Sequence, residues 1–250
     1  MRETRFMMGM PITIEVVDAG SRSQDVADVF AYFNEVDRRF STYKPDSEIS
    51  RINRGVIGPD AYSQDMKTVL TLCEETKRLT RGFFDIARMD GTKDPSGLVK
   101  GWAINHAATM LRAFGYEHFF VDAGGDIQTS GRNASGKPWS VGIKNPFNRS
   151  QIVQVVYPDG AGVATSGTYI RGQHVYNPHD RHAPMTDIVS LTVIGPNIYE
   201  ADRFATAAFA MGREGIAFIG SIEGFEGYMI DKDGMSTGTN HFATYTQIPA

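Results

Sequence analysis

Two periods run through this chain. At residues 10–17, β-branched positions (Ile12, Thr13, Ile14, Val16, Val17) crowd a short stretch with enough alternation for a strand. From residue 23 the spacing changes to 3.6, and Val26, Val29, Phe30, Phe33, Val36 and Phe40 fall on one stripe, with Ser23 placed to cap the helix. A loop, STYKPDSEISRIN, follows at 41–53, and Ser63 caps a second helix through Met66, Val69, Leu70 and Cys73. Residues 80–98 read as irregular because Gly82, Gly91, Pro95 and Gly97 interrupt them. A third helix is expected from about Lys100 to Phe114, stopping at Gly115. Short strands at 118–122, 127–130, 139–143 and 152–156 come next, separated by Gly, Asn and Pro turns, and 163–183 reads as loop-rich. A strand at 188–194, a fourth helix at 200–211 ended by Gly212, a short helix and a strand near 227–230 complete the pattern. Helices and strands do not alternate in regular βαβ units, so the expectation is an α+β fold, with residues 1–250 forming a single domain.

Composition narrows the classes. At 41% hydrophobic and 22% charged residues over 250 positions, the chain can bury a large core without a staple. A net charge of −4, with no Lys/Arg-rich run, excludes an electrostatic nucleic-acid binder. The lone cysteine, Cys73, cannot form an intramolecular disulfide and reads as a small buried apolar residue. The first residues carry charges without an apolar centre or a small-residue cleavage site, so they read as the first strand and not as a signal peptide. No apolar run approaches the ~18 residues that span a bilayer, so no membrane insertion is expected and the protein is placed in the cytoplasm.

The short signatures of several enzyme classes are missing: no G-x-G-x-x-G after a strand, no G-x-x-x-x-G-K-[ST], no G-x-S-x-G and no C-x-x-C. What remains is oxygen and charge at the edges of elements. Asp202 and Thr206 are four apart, so a carboxylate and a hydroxyl share a helix face and could serve a hard cation. The plainer alternative is that Glu200 and Asp202 complement the helix dipole while Thr206 bonds its own backbone. Asp94-Pro-Ser-Gly-Leu-Val-Lys100 offers a carboxylate, a freed backbone and a lysine near a helix start, a setting that suits phosphate, although Lys100 could equally be a solvated side chain. In Asp122-Ala-Gly-Gly-Asp126 the glycines permit close approach of backbone to ligand, or simply a tight turn. His174, His179 and His182 have a spacing worth testing for zinc, but the turn-rich segment and the lack of a nearby cysteine count against it.

Read in order, these pieces resemble one family over nearly the whole chain. Met8-Gly9-Met10 looks like its opening M-G-T, and Ser41-Thr-Tyr43 with Asp46 to Asn53 looks like its S-x-Y…S-E-[LI]-S-x-[LI]-N loop. Gly82-Phe-Phe-Asp85-Ile86, the run from Asp94 to Ala103, Asp122 to Ile127, and Trp139 to Ile143 match further segments. So do Ala164-Thr-Ser-Gly167 with Arg171, His174-Val-Tyr-Asn-Pro178, and Ala201-Asp202-Arg-Phe-Ala-Thr206-Ala. The family is the FAD:protein FMN transferases, the ApbE-like flavin transferases also called thiamine-biosynthesis lipoproteins.

The resemblance implies mixed, mostly antiparallel sheets packed with helices. It implies FAD held by Met8, Tyr43, the turn Phe84-Asp85-Ile86, Asp94, Lys100 and His174. Mg²⁺ would be held by the carbonyl of Gly97 and the side chains of Asp202 and Thr206, and His174 and Asp202 are the implied catalytic residues. The implied reaction moves FMN from FAD onto a Thr or Ser hydroxyl of an acceptor protein and releases AMP. Family acceptors carry an S/T-G-A-S/T-type motif, which this chain does not show. Asn105 and Asn177 stand where Asp is usual, which keeps two alternatives open: a Mg²⁺-dependent FAD pyrophosphatase, and a non-catalytic FAD-binding protein.

Overall fold

A computed structural model describes residues 1–168, 178–180 and 187–249. Strands β1 (Arg2–Met7) and β2 (Met10–Val16) form a hairpin, with Met7 opposite Met10. Its two turn residues, Met8 at φ 52° and Gly9 at φ 75°, adopt the left-handed conformation that two-residue hairpins favour. Helices α1 (Ser23–Phe40), α2 (Glu48–Asn53), α3 (Gln64–Leu79) and α4 (Ser96–Ala113) follow. Then come β3 (Phe119–Ala123), β4 (Asp126–Ser130), β5 (Val141–Lys144), β6 (Ile152–Val156), β7 (Gly162–Gly167) and β8 (Ile188–Gly195). Helices α5 (Ile198–Ala210) and α6 (Gly215–Gly220) precede β9 (Glu226–Asp231) and β10 (Ser236–Gly238).

Eight strands form one sheet in the order β1-β2-β3-β4-β7-β8-β9-β10, with every neighbouring pair antiparallel. Period-2 burial along β2 turns Met10, Ile12, Ile14 and Val16 inward, where they join the apolar stripe of α1 in one core. The β5–β6 hairpin stands apart and packs Val141, Ile143 and Val156 against Val163, Ile194 and Phe242. Among the described residues no helix is long and apolar enough to cross a membrane.

Three expectations change. The stretch read as loop-rich from 163 contains β7, whose Ala-Thr-Ser-Gly run is too small and polar to announce a strand. Its register with β8, Val163 opposite Ile194 and Thr165 opposite Thr192, is what makes it one. The loop at 41–53 contains α2, started by Ser47, whose Oγ accepts the Ser50 amide at 3.1 Å. Helix α4 begins at Ser96, four residues before Lys100. Asp94 Oδ1 accepts the Ser96 amide at 3.0 Å and the Pro95 carbonyl accepts from Leu98 and Val99. Pro and Gly, read as breakers, are tolerated there because the first-turn amides have no helical partner to lose. Gly97 and Lys100 therefore lie at the start of the helix and not before it.

Candidate functional site

Helix α5 starts where Asn197 Oδ1 accepts the Glu200 amide at 3.0 Å. Its first turns lie on those of α4, and that crossing forms the floor of the site. Asp202 is buried there, at 2% exposure, and its Oδ2 accepts the Gly101 amide at 2.7 Å. The crossing is close enough that only glycine fits at 101, since a Cβ would meet the Ile198 carbonyl oxygen at 2.7 Å. One turn further along α5, Thr206 Oγ1 donates to the Gly97 carbonyl at 3.1 Å.

Lys100 Nζ is 3.4 Å from Asp202 Oδ1 and pairs more closely with Asp126. Asp126 is also buried, and its Oδ1 accepts the Thr165 amide of β7 at 3.0 Å. Burial pushes the Asp202 carboxyl up, to about 7, against the pull of the Lys100 ammonium, and the neighbouring Asp126 adds to the rise. Asp122, whose Oδ1 accepts the Gly125 amide at 2.8 Å, is likewise raised by burial.

Above this floor opens a cleft of about 850 Å³. The turn after α3 supplies one wall. Phe84 and Ile86 are buried in it, and Phe84 packs on Gly97, where an added Cβ would be 3.4 Å from the ring. The Ile86 carbonyl accepts the Asp94 amide at 2.8 Å, which ties this turn to the start of α4. Asp85 caps its own turn through the Ala87 amide and lies 3.0 Å from Lys77 Nζ, while Asp94 pairs with Arg88. Met8 of the β1–β2 turn also lines the cleft, as does Tyr43, which has 92% of its surface exposed.

The structure thus brings Met8, Tyr43, Phe84, Asp85, Ile86 and Asp94 around one cleft, with Gly97, Lys100, Asp202 and Thr206 at its base. His174 lies outside the described residues, as does His182. His179, the described member of that histidine set, donates Nε2–H to the Arg81 carbonyl at 3.0 Å and meets the Phe83 ring edge-on. Among the described residues no three His, Cys, Asp or Glu side chains gather as a metal site. The oxygen set at the α4–α5 crossing is different in kind: one buried carboxylate, one hydroxyl and one main-chain carbonyl. That donor chemistry fits a hard cation that completes its shell with water or phosphate.

In the Asp122-Ala-Gly-Gly-Asp126 run only the glycines carried a sequence expectation, and Asp126 had no task beyond its turn. A glycine-flanked acid at a strand start is signal enough to note, yet its partner, Lys100, is a tertiary contact. Lys144 and Arg149, two cations lining the cleft beside β5, were also missed.

The family model described as ApbE matches residues 8–93 and 91–229. The chain is 34% identical to an FAD:protein FMN transferase of Escherichia coli over 155 residues, which is 58% of this chain and 44% of that relative. The match to the FAD:protein FMN transferase of Salmonella typhimurium is 25% identical over 284 aligned residues, covering 89% of this chain and 81% of the relative. The chain therefore spans under half the length of the first relative and most of the second. Among solved structures, the flavin transferase ApbE from Vibrio cholerae superposes with a TM-score of 0.86 at 24% identity, covering 98% of each chain. An ApbE protein from Thermotoga maritima gives 0.86 at 19% identity over 99% of each chain. These likenesses establish the expected α+β architecture of largely antiparallel sheets and helices.

Proposed function

The chain belongs to the ApbE family, and on that footing we propose that it moves FMN from FAD to a Thr or Ser hydroxyl of an acceptor protein, with Mg²⁺ as cofactor and AMP as the leaving product. One observation carries the reading: Asp202, Thr206 and the Gly97 carbonyl meet beside Lys100 at the base of a cleft large enough for a dinucleotide. Those three groups would hold Mg²⁺, which bound there supplies charge neutralisation to the diphosphate.

The chain's own residues do the rest. Lys100, one turn into α4, supplies an ammonium beside the positive end of a helix that suits phosphate oxygens. The 84–86 turn and Asp94 form a cross-linked wall suited to the dinucleotide, and Met8 lines the same cleft. The exposed Tyr43 is free to stack on an aromatic ring of FAD. The acceptor oxygen forms a bond to the FMN phosphorus, the anhydride bond breaks, and AMP departs with the electron pair. The hydroxyl proton passes to His174 or to a carboxylate such as Asp202, assignments that come from the family motif. If His174 takes it, His174→Ala lowers transfer by about 10²–10⁴-fold while FAD affinity holds.

The test is incubation with FAD, Mg²⁺ and a peptide carrying an S/T-G-A-S/T motif, followed by mass measurement. Gain of one FMN by the peptide, with one AMP released, is the expected result. AMP and FMN released without a peptide adduct would instead identify a pyrophosphatase. No AMP under any condition would leave an FAD-binding protein and end the transferase reading.

A further inference from the structure

Asp126 takes no part in the reaction just described, yet it is 2% exposed and tied to the site from two sides. Its Oδ1 accepts the Thr165 amide at 3.0 Å, which anchors the carboxylate to β7. Its Oδ2 meets the Lys100 ammonium as an ion pair, without an aligned hydrogen bond. The same Lys100 Nζ is 3.4 Å from Asp202 Oδ1, whose sister oxygen is held by the Gly101 amide at 2.7 Å. Two buried carboxylates therefore share one ammonium, and the closer contact is to Asp126.

We infer that Asp126 is a positioning residue that draws the Lys100 ammonium to its own side, leaving 3.4 Å to Asp202 Oδ1, and so keeps that oxygen available to a divalent cation. The inference rests on the metal reading given above. Its physical basis is competition for one oxygen. An ammonium and a hard cation both seek the Asp202 carboxylate, and each repels the other there. Lysine carries its charge on a flexible four-carbon stem, so its ammonium can shift between two neighbouring carboxylates. With the Asp126 charge present, the ammonium has a buried counter-ion on the β7 side. Without that charge, the nearby Asp202 Oδ1, already 3.4 Å from Nζ, exerts the stronger remaining pull, and the ammonium shifts toward it.

The experiment titrates Mg²⁺ into the full FAD-free chain and follows the rise in melting temperature, which reports binding to the folded state. Four proteins are compared: the parent, Asp126→Asn, Lys100→Met and the double variant. Asn keeps an oxygen for the Thr165 amide and removes only the charge. Asp126→Asn is expected to raise the Mg²⁺ concentration required by about tenfold or more, the range for groups behind a metal ligand. The double variant is expected to return to the parental range, because the displaced lysine is gone. Lys100→Met alone is expected to bind Mg²⁺ at least as tightly as the parent. A purely structural role for Asp126 would not be rescued by removing Lys100.

Parental Mg²⁺ binding by Asp126→Asn overturns the inference, as does a double variant as weak as Asp126→Asn. If Asp126→Asn does not fold, Lys100→Met decides alone, and weaker Mg²⁺ binding by that variant rejects the competition. A parent that shows no Mg²⁺ response ends the metal reading itself and this inference with it, a result distinct from a parent that responds and variants that match it.

Discussion

Gly101 and Asp202 touch across the α4–α5 crossing: the Gly101 amide donates to Asp202 Oδ2 at 2.7 Å, and a Cβ on residue 101 would lie 2.5 Å from the Asp202 Cβ. Backbone approach and ligand orientation are thus one feature. The absence of a side chain at 101 allows the helices close enough for a main-chain amide to orient the carboxylate, and the neighbouring Lys100 to face it.

Gly101→Ala tests this relationship. The added methyl meets the Ile198 carbonyl oxygen, which belongs to backbone and cannot rotate away. Overpacking of this kind costs about 1–3 kcal/mol. A lowered urea midpoint is expected, together with loss of the Mg²⁺-dependent rise in melting temperature, because Asp202 is pushed off its amide. A variant with parental stability and a parental Mg²⁺ response would show that the helices have room to separate.

Asp202 also makes stability depend on pH. Its carboxyl ionises near 3.8 when free and is pushed up to about 7 in the fold. Between those values the folded state holds a proton that the unfolded state has released. Stability from this group is therefore complete below about pH 4 and is lost as pH rises through 7. With chelator present, Asp202→Asn should gain stability over the parent as pH rises from 4 to 8, since Asn still accepts the Gly101 amide and has nothing to ionise. A difference between the two proteins that stays flat with pH would contradict the burial argument.

The parts legible in the sequence were those where packing follows period. Every residue of the α1 stripe from Val26 to Phe40 is buried, as the 3.6 spacing required. The parts that were not legible depend on contacts distant in the chain. Strand β7 offers little hydrophobic signal and exists because β4 and β8 pair with it on either side. Helix α2 is six residues long with two buried apolar positions, too short for a period to show, and only its Ser47 cap marks it. Asp126 and Lys100 are 26 positions apart, so no local pattern could pair them. Met8, Tyr43, the 84–86 turn, Asp94, Gly97 and Lys100 entered through ordered motifs set at turns or a helix start, whereas Lys144 and Arg149, which line the same cleft, lie in none of them.

Cys73 gives a prediction independent of the cleft. It is 1% exposed on the inner face of α3, and burial pushes its thiol up to about 12. The reactive species is the thiolate, which is both scarce and covered here. At pH 8 the folded protein should leave a chromogenic disulfide reagent unreacted, and one thiol per chain should appear on addition of denaturant. Labelling of the native protein at the rate of a free thiol would place Cys73 on an accessible surface. Cys73→Ser should cost about 1–3 kcal/mol, because it buries a hydroxyl where the apolar sulfur packed.

Tyr43 separates binding from folding. With 92% of its surface exposed, its side chain adds little to the core, so Tyr43→Ala should leave the melting temperature of the ligand-free protein within experimental error. If the ring stacks on an aromatic system of FAD, its loss removes about 1 kcal/mol beyond simple burial, or roughly a fivefold rise in Kd. The parent is expected to bind FAD more tightly than FMN, because the proposed function assigns Asp94, Lys100 and the 84–86 turn to the part of the ligand beyond riboflavin. Calorimetry with both ligands on both proteins resolves which ring Tyr43 meets. An equal loss for FAD and FMN places it on the isoalloxazine, and a loss confined to FAD places it on the adenine. Unchanged affinity for both would remove Tyr43 from the binding site.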